Sequence, residues 1–171
     1  MTVLDAIKSR RSIRDYENKD IPETILESLM DAIRWAPSAG NLQSRRFYFV
    51  FNPGVRTKLA RAALNQNFIA RAPMVVVACL DRRITARYGE RGVNLYAIQD
   101  VSASIMNMML VAQELGLGTV WVGAFNEFEV FETLEMPDHL RPIALVPVGY
   151  PSRKPGPTPR LMPEEMITVM R

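Results

Sequence analysis

The chain has 171 residues, of which 48% are apolar and 23% charged, and this composition is typical of one globular domain with a sizeable core. A net charge of +3 is too small for a typical nucleic-acid-binding protein, and no apolar run approaches the ~18 residues of a membrane span. Since the start also lacks a basic-then-apolar signal pattern, we expect a single domain, residues 1–171, in a reducing cytoplasm.

The first residues predict a short helix followed by a cluster of positive charge. Thr2 can cap this helix, with Asp5 three positions later. The stretch Arg10–Tyr16 follows, in which three arginines and a hydroxyl fall within five residues. Guanidinium groups this close repel one another unless an anion lies among them, and phosphate matches their paired donors. A solvated basic turn is the alternative that the residues alone leave open.

The next prediction is a helix over Pro22–Ala36, with proline in the first turn and an apolar stripe along one side. Pro37 ends this helix. Ser38, Ala39, Gly40 and Asn41 then form a loop of small residues, which lets a backbone approach a flat ligand closely. A plain connector between helix and strand fits these residues equally well.

The middle of the chain predicts a strand over Phe47–Phe51 and a helix over Val55–Leu64. Asn65–Asn67 then break the apolar pattern with three amides, which either bind a ligand or cap a helix. The apolar run Met74–Leu80 predicts a strand covered on both faces. Its Cys79 is the only cysteine, so an internal disulfide is excluded and a buried, inert thiol is expected.

The polar, basic stretch Asp81–Gly92 is expected to be a solvated loop, and Val93–Leu115 the longest helix, with Gly116 as its C-terminal cap. This helix is apolar on more than one face, which favours a subunit interface.

Three further elements and an arm complete the predicted chain. They are a strand over Thr119–Ala124, a helix over Asn126–Leu134, a strand over Ile143–Val148 and an extended arm within 151–171. Five prolines between Pro151 and Pro163 exclude a helix or an inner strand there.

No motif in the sequence carries its own chemistry. A Rossmann fingerprint and a P-loop are both absent. With His139 as the only histidine, a histidine metal site or a Ser-His-Asp triad is hard to build. Any demanding reaction would therefore depend on a bound cofactor, with the protein supplying position and electrostatics.

Four stretches together resemble the FMN-dependent nitroreductase family, and the resemblance runs from about Leu4 to Arg160. They are Arg10–Tyr16, Ala36–Gln43, Gly116–Phe125 and Val148–Pro151 with its basic, proline-rich tail. The resemblance implies an α+β fold, a three-layer sandwich whose mostly antiparallel sheet is flanked by helices, in a homodimer.

The resemblance also implies an activity. A non-covalent FMN at the dimer interface would be reduced by NADH or NADPH and then reoxidised by a nitroaromatic, quinone or similar flat acceptor, in a ping-pong mechanism. The flavin would carry the chemistry, and Arg14 near the pyrimidine edge of the ring would tune it. No metal is implied.

The resemblance assigns the cofactor contacts residue by residue. The phosphate and ribityl contacts are Arg10, Ser12 and Arg160; beside the ring lie Arg11 and Arg14; the partner-subunit wall is Pro37, Ser38, Asn41 and Gln43; the backbone at ring N5 and O4 is Val122 and Gly123. Asn65 is added from its own chemistry, since its amide offers a donor and an acceptor to the edge of a flavin ring. The chain departs from the family at Ser44–Arg46, where a proline and an aromatic are usual, and at Thr158 and Pro159, where a second basic residue is usual.

Two alternatives remain open from the sequence. One is a flavoprotein of the same fold with other chemistry, such as reductive dehalogenation or flavin breakdown, for which Asp81–Gly92 is short as a substrate-clamping lid. The other is a non-catalytic flavin-binding or interaction protein.

Overall fold

Four antiparallel strands form the central sheet, in the order β1-β2-β4-β3. The computed structural model describes all residues, 1–171. The strands are β1 (Arg45–Val50), β2 (Met74–Asp81), β3 (Gly118–Thr119) and β4 (Leu140–Gly149). The predicted strand Thr119–Ala124 is wrong beyond Thr119, because only Val122 returns to pair with β4, in one bridge to Leu145. The chain thus leaves the sheet on both sides of Val122.

Eight helices surround the sheet, and local capping explains several of their ends. They are α1 (Val3–Ser9), α2 (Glu23–Arg34), α3 (Pro53–Ala62), α4 (Phe68–Arg71), α5 (Thr85–Arg91), α6 (Ala97–Glu114), α7 (Glu127–Thr133) and α8 (Pro163–Met166). The predicted cap of α1 is confirmed, since Thr2 and Asp5 form a reciprocal capping box. Gly116, at φ +79°, follows α6 in the left-handed conformation expected of a C-terminal glycine.

The sheet separates two hydrophobic layers. On one face Val76, Ala78 and Leu80 of β2 pack with α2 and α6. On the other face Val75 and Val77 pack with α3, α4 and α7. Because side chains alternate along a strand, β2 is buried on both faces, as its continuous apolar run predicted. The three-layer α+β prediction is confirmed.

The expectation of a solvated loop over Asp81–Gly92 is wrong, because this stretch is helical. The Asp81 carboxylate accepts a hydrogen bond of 2.9 Å from the backbone N–H of Arg83 and so starts a 3₁₀ turn, Arg82–Ile84, which leads into α5. A π-helical turn, Gly92–Tyr96, then joins α5 to α6. The predicted long helix therefore starts in this turn.

The continuous helical stretch Arg82–Glu114 is long and apolar enough, by length and composition, to cross a bilayer. Its central residues Val101, Ile105 and Met108 are instead fully buried against the sheet and α2. The apolar character is thus that of a core helix.

The C-terminal arm is extended, as its prolines predicted. No regular element lies between β4 and α8, and every residue from 152 to 171 is exposed in the single chain. Nothing in its own chain encloses the arm.

The apolar thiol of Cys79 is buried, as predicted. Burial raises its pKa to about 12, so the thiol stays protonated and is a poor nucleophile.

Candidate functional site

The charge of Arg160 acts on Arg10 although 150 positions separate the two residues in the sequence. Burial lowers the pKa of Arg10, and the positive charges of Arg160 and then Arg11 lower it further. Neither Arg10 nor Arg160 forms an ion pair with a carboxylate. The Arg160 guanidinium donates hydrogen bonds only to Thr158 and Pro159 of its own arm. No carboxylate neutralises either positive charge, and guanidinium groups of this kind suit an anion with several acceptor oxygens, such as a phosphate.

The segment that carries Arg10 is fixed to the sheet by its backbone. Ile13 donates a hydrogen bond of 3.0 Å from its N–H to the carbonyl of Thr119, and Ser12 bridges to the same residue. Gly118 allows this approach, since a Cβ atom there would lie 2.5 Å from Cγ1 of Ile13. The Ile13 side chain is buried, which leaves its neighbours at the surface.

Arg11 and Arg14 have different surroundings. The Arg11 guanidinium donates 2.7 and 2.8 Å hydrogen bonds to the carbonyls of Lys8 and Arg10, and so caps the C-terminal end of α1. Arg14 has no ion-pair partner, and its guanidinium carbon lies 5.8 Å from the centroid of the Phe68 ring. The positive charge of Arg14 is therefore free to act on a ligand.

The amides that follow α3 adopt a strained backbone. Leu64 and Asn65 have φ of +58° and +59°, which is uncommon for residues other than glycine. The Gln66 side chain donates to the carbonyls of Ala63 and Ala124, at 3.0 and 3.3 Å, and so joins this turn to the segment after Val122. The side chain of Asn65 makes no hydrogen bond within the chain and stays exposed.

The backbone at Val122 and Gly123 is held on one side and open on the other. Val122 exchanges two hydrogen bonds with Leu145, of 2.9 and 3.0 Å. A Cβ atom built on Gly123 would meet nothing within 4 Å. A flat ligand can therefore approach this backbone closely.

The loop after α2 has an unusual backbone as well. Gly40, Asn41 and Gln43 all have positive φ, between +52° and +56°. The Gln43 N–H donates to the Ser38 hydroxyl at 3.1 Å, which closes the loop on itself. Tyr88 of α5 lies directly over Gly40 and leaves no room for a Cβ atom there. Within the chain this loop makes no hydrogen bond or ion pair with Arg10, Arg14 or Arg160, so the structure does not bring the two groups of predicted residues together in one protomer.

Arg45 and Asp100, which sequence reasoning did not single out, hold this loop. The Arg45 guanidinium donates to the carbonyls of Ala36 and Pro37, at 2.7 and 2.9 Å, and so caps the end of α2. Asp100 accepts a hydrogen bond of 2.9 Å from the N–H of Ala39. Asp100 places a carboxylate inside the apolar part of α6, and this is the sequence signal by which it could have been found. The sequence departs from the family at Ser44–Arg46, and Arg45 of this stretch stabilises the loop through these hydrogen bonds. Its side chain does not line a pocket.

A cavity lies elsewhere, between α1, α2 and α6. It has a volume of about 550 Å³ and is lined mainly by apolar side chains, among them Val3, Trp35 and Val111. Exposed apolar residues lie around it, including Val3 at 72% and Trp35 at 75% exposure. Exposed apolar side chains grouped in this way are typical of a surface that binds another protein.

The fold is that of an α+β protein whose antiparallel sheet is covered by helices on both faces. Over residues 7–79 and 55–150 the chain matches the model of the nitroreductase family. The chain belongs to the nitroreductase family.

The chain is similar to longer proteins and spans between 72% and 81% of the three that follow. A protein of Methanothermobacter thermautotrophicus, provisionally named an NADH dehydrogenase/NAD(P)H nitroreductase, is 32% identical over 91% of this chain and 81% of its own length. The FMN reductase [NAD(P)H] of Bacillus subtilis is 27% identical over 96% of this chain and 72% of its own. The crystal structure of nitroreductase A from Vibrio parahaemolyticus superposes with a TM-score of 0.91 at 26% identity, over 100% of this chain and 76% of that one.

Proposed function

We propose that this protein is an FMN-dependent oxidoreductase that uses NADH or NADPH to reduce flat, electron-poor acceptors such as nitroaromatics and quinones. The names of its relatives support the class of reaction, since they include an FMN reductase and an NADPH nitroreductase. Bound FMN would supply the two-electron chemistry, taking electrons from the nicotinamide and passing them to an acceptor in a second, separate binding event. This is a ping-pong scheme.

The observation that carries the proposal is the convergence of Arg10 and Arg160. The positive charge of Arg160 lowers the pKa of Arg10, and no carboxylate pairs with either guanidinium, so an anion would offset their repulsion. The monophosphate of FMN has the charge and the acceptor oxygens for this site, and Ser12 adds a hydroxyl beside them. The donor set therefore fits FMN.

The remaining residues have roles toward the ring. Arg14 would place its positive charge near the pyrimidine edge, where charge grows on reduction, so this interaction would favour the reduced state. Asn65 would donate or accept at the ring edge, because its amide has no partner within the chain. The open backbone at Val122 and Gly123 would contact ring N5 and O4. Arg11 would act there through its backbone, because its guanidinium caps α1.

The protein would work as a homodimer with FMN at the interface. Pro37, Ser38, Asn41 and Gln43 would form the wall of the partner's site, which explains why this loop lies apart from Arg10 within one chain. The apolar face around Val3 and Trp35, together with the exposed arm, supplies the surface that a stable dimer buries. A cytoplasmic location is part of the proposal, since the single cysteine, Cys79, is free of any disulfide.

Absorbance of the purified protein tests the proposal directly. We expect a yellow protein with one FMN per chain, bleached without oxygen by NADH or NADPH and recoloured by a nitroaromatic or quinone. A colourless protein that does not bind added FMN would contradict the proposal. A yellow protein that neither nucleotide bleaches would instead support passive flavin binding.

A panel of acceptors added to the anaerobically reduced protein then separates the remaining candidates. Rapid recolouring by nitroaromatics or quinones supports the proposed reaction. Recolouring only by halogenated aromatics, with release of halide, would support reductive dehalogenation. Loss of the flavin chromophore with turnover would support flavin breakdown.

A further inference from the structure

The residues around Arg14 leave its charge without a partner. The adjacent carboxylate of Asp15 lies 3.8 Å from a guanidinium nitrogen of Arg71. Arg14 itself forms no ion pair and donates no hydrogen bond within the chain, so a surface pair with Asp15 or Glu17 is not what holds it. The one defined neighbour of its guanidinium is the ring of Phe68, 5.8 Å away.

Phe68 is anchored while Arg14 is exposed. Phe68 is the first residue of α4, and its partly buried side chain packs against the layer that contains Ile69 and Leu59. Since a ring held in this way has little freedom, it offers a fixed face to a cation. The long arginine side chain, in contrast, loses much rotamer freedom when it is confined to one position.

The turn before Phe68 links this ring to the rest of the site. Asn65 and its neighbour Leu64 have left-handed backbones three and four positions before α4, and Gln66 joins the same turn to Ala124. Such strained backbone persists only where the surrounding structure holds it, and it is concentrated at functional sites. Phe68 is thus placed by the same turn that presents the amide of Asn65.

We propose that Phe68 is a positioning residue for Arg14, whose ring holds the guanidinium where its charge favours reduced over oxidised flavin. The inference rests on the proposed FMN function. A planar guanidinium stacks on an aromatic face at little cost in hydration, so the ring orders Arg14 without neutralising it. A carboxylate in the same place would order Arg14 but would cancel the charge that acts on the flavin.

The test is the flavin midpoint potential, measured by spectroelectrochemical titration of FMN-loaded variants. Phe68→Leu removes the ring face and should reduce the preference for reduced over oxidised FMN about threefold, which lowers a two-electron potential by about 14 mV. Phe68→Tyr keeps the face and should leave the potential unchanged. Phe68→Met is the second variant, with the same expected shift, if the leucine variant does not fold.

Two controls separate positioning from a general loss of packing. Phe131→Leu makes the same substitution at a ring of α7 that packs against the same hydrophobic layer, and it should leave the potential unchanged. In an Arg14→Ala background, Phe68→Leu should cause no further shift, because the ring then has no guanidinium to hold.

The outcomes distinguish this inference from its premise. A protein that binds no FMN, or an Arg14→Ala variant with the wild-type potential, would contradict the proposed role of Arg14 itself. If Arg14→Ala lowers the potential while Phe68→Leu does not, the role of Phe68 is wrong and that of Arg14 stands. Equal shifts from Phe68→Leu with and without Arg14 would also overturn the positioning role.

Discussion

The carboxylate of Asp100, on the core helix α6, accepts a hydrogen bond of 2.9 Å from the backbone N–H of Ala39. The second carboxylate oxygen of Asp100 is buried without a partner. Burial raises the pKa of Asp100, and the bond from Ala39 and the nearby charge of Arg45 offset this only in part. The small-residue loop is thus tied to the core through a titratable group.

The raised pKa of Asp100 predicts a pH dependence of folding. Because the folded protein binds this proton more tightly than the unfolded chain, ionised Asp100 reduces the free energy of unfolding. That reduction disappears as the pH falls from the raised pKa toward the ordinary value of 3.8. Urea unfolding of wild type and Asp100→Asn at pH ~7 and ~4.5 should show the wild type gaining stability relative to the variant at the lower pH.

Other carboxylates titrate in both proteins, so their contributions to the free energy of unfolding cancel when wild type and variant are compared. Glu127, whose pKa is lowered mainly by its hydrogen bonds from Arg141, is among them. If the difference in free energy of unfolding between wild type and Asp100→Asn does not change with pH, Asp100 keeps one protonation state over this range and the prediction is wrong.

Arg10→Ala should weaken FMN binding about tenfold or more, since hydrogen bonds to charged groups contribute roughly 1.5–3 kcal/mol each. Riboflavin, which lacks the phosphate, should bind wild type weakly and respond little to the substitution. Fluorescence titration with both flavins measures this. Lys58→Ala, which removes an exposed positive charge from α3, is the control and should change neither affinity. Equal losses for FMN and riboflavin would show that Arg10 has a structural role instead.

Gly118→Ala should destabilise the fold and weaken FMN binding together. The new Cβ atom would lie 2.5, 2.7 and 2.8 Å from three carbons of Ile13, so the segment that carries Arg10 would have to move. Overpacking of this kind costs ~1–3 kcal/mol, or about 3–10 °C in Tm for a chain of this size. Thermal unfolding and FMN titration check both effects. Gly156→Ala, where a Cβ atom meets nothing within 4 Å, should change neither.

Trp35→Glu should dissociate the dimer and release FMN, because it places a charge on the apolar face beside the cavity between α1, α2 and α6. Sedimentation velocity at micromolar protein should find wild type as a dimer and the variant shifted toward monomer. Phe128→Glu, at a ring 69% exposed on α7, is the matched control and should stay dimeric. A wild-type protein that is a stable, FMN-loaded monomer would contradict the dimer.

Local signals in the sequence predicted the elements that local interactions determine. The capping residues Thr2 and Asp5 marked α1, and the apolar run Met74–Leu80 marked the central strand. The stretch Asp81–Gly92 was misjudged because its polarity indicated solvent, whereas the Asp81 carboxylate starts a helix there. Polarity alone does not distinguish a loop from an exposed helix.

The site was less accessible to sequence reasoning because its contacts are distant along the chain. The proximity of Arg10 and Arg160 was expected only through the family resemblance, since no periodic pattern links residues so far apart. Arg45 and Asp100 were missed for the same reason: 55 positions separate them, and their role is to hold backbone groups of other segments. The position of the Phe68 ring beside Arg14 was missed likewise, because it depends on how the segment after α1 packs against the turn before α4.

Arg160 lies on an arm that its own chain leaves fully exposed. In the proposed function this residue holds the FMN phosphate, so phosphate binding and ordering of the arm would be one linked equilibrium. Part of the intrinsic affinity for FMN would then offset the entropy that the C-terminal arm loses when it becomes ordered, and FMN binding would stabilise the ordered arm. Trypsin should accordingly cut after Arg153 and Arg160 quickly in flavin-free protein, slowly with FMN and at an intermediate rate with riboflavin. Loss of cofactor would in this way expose the chain to degradation from its C-terminal end.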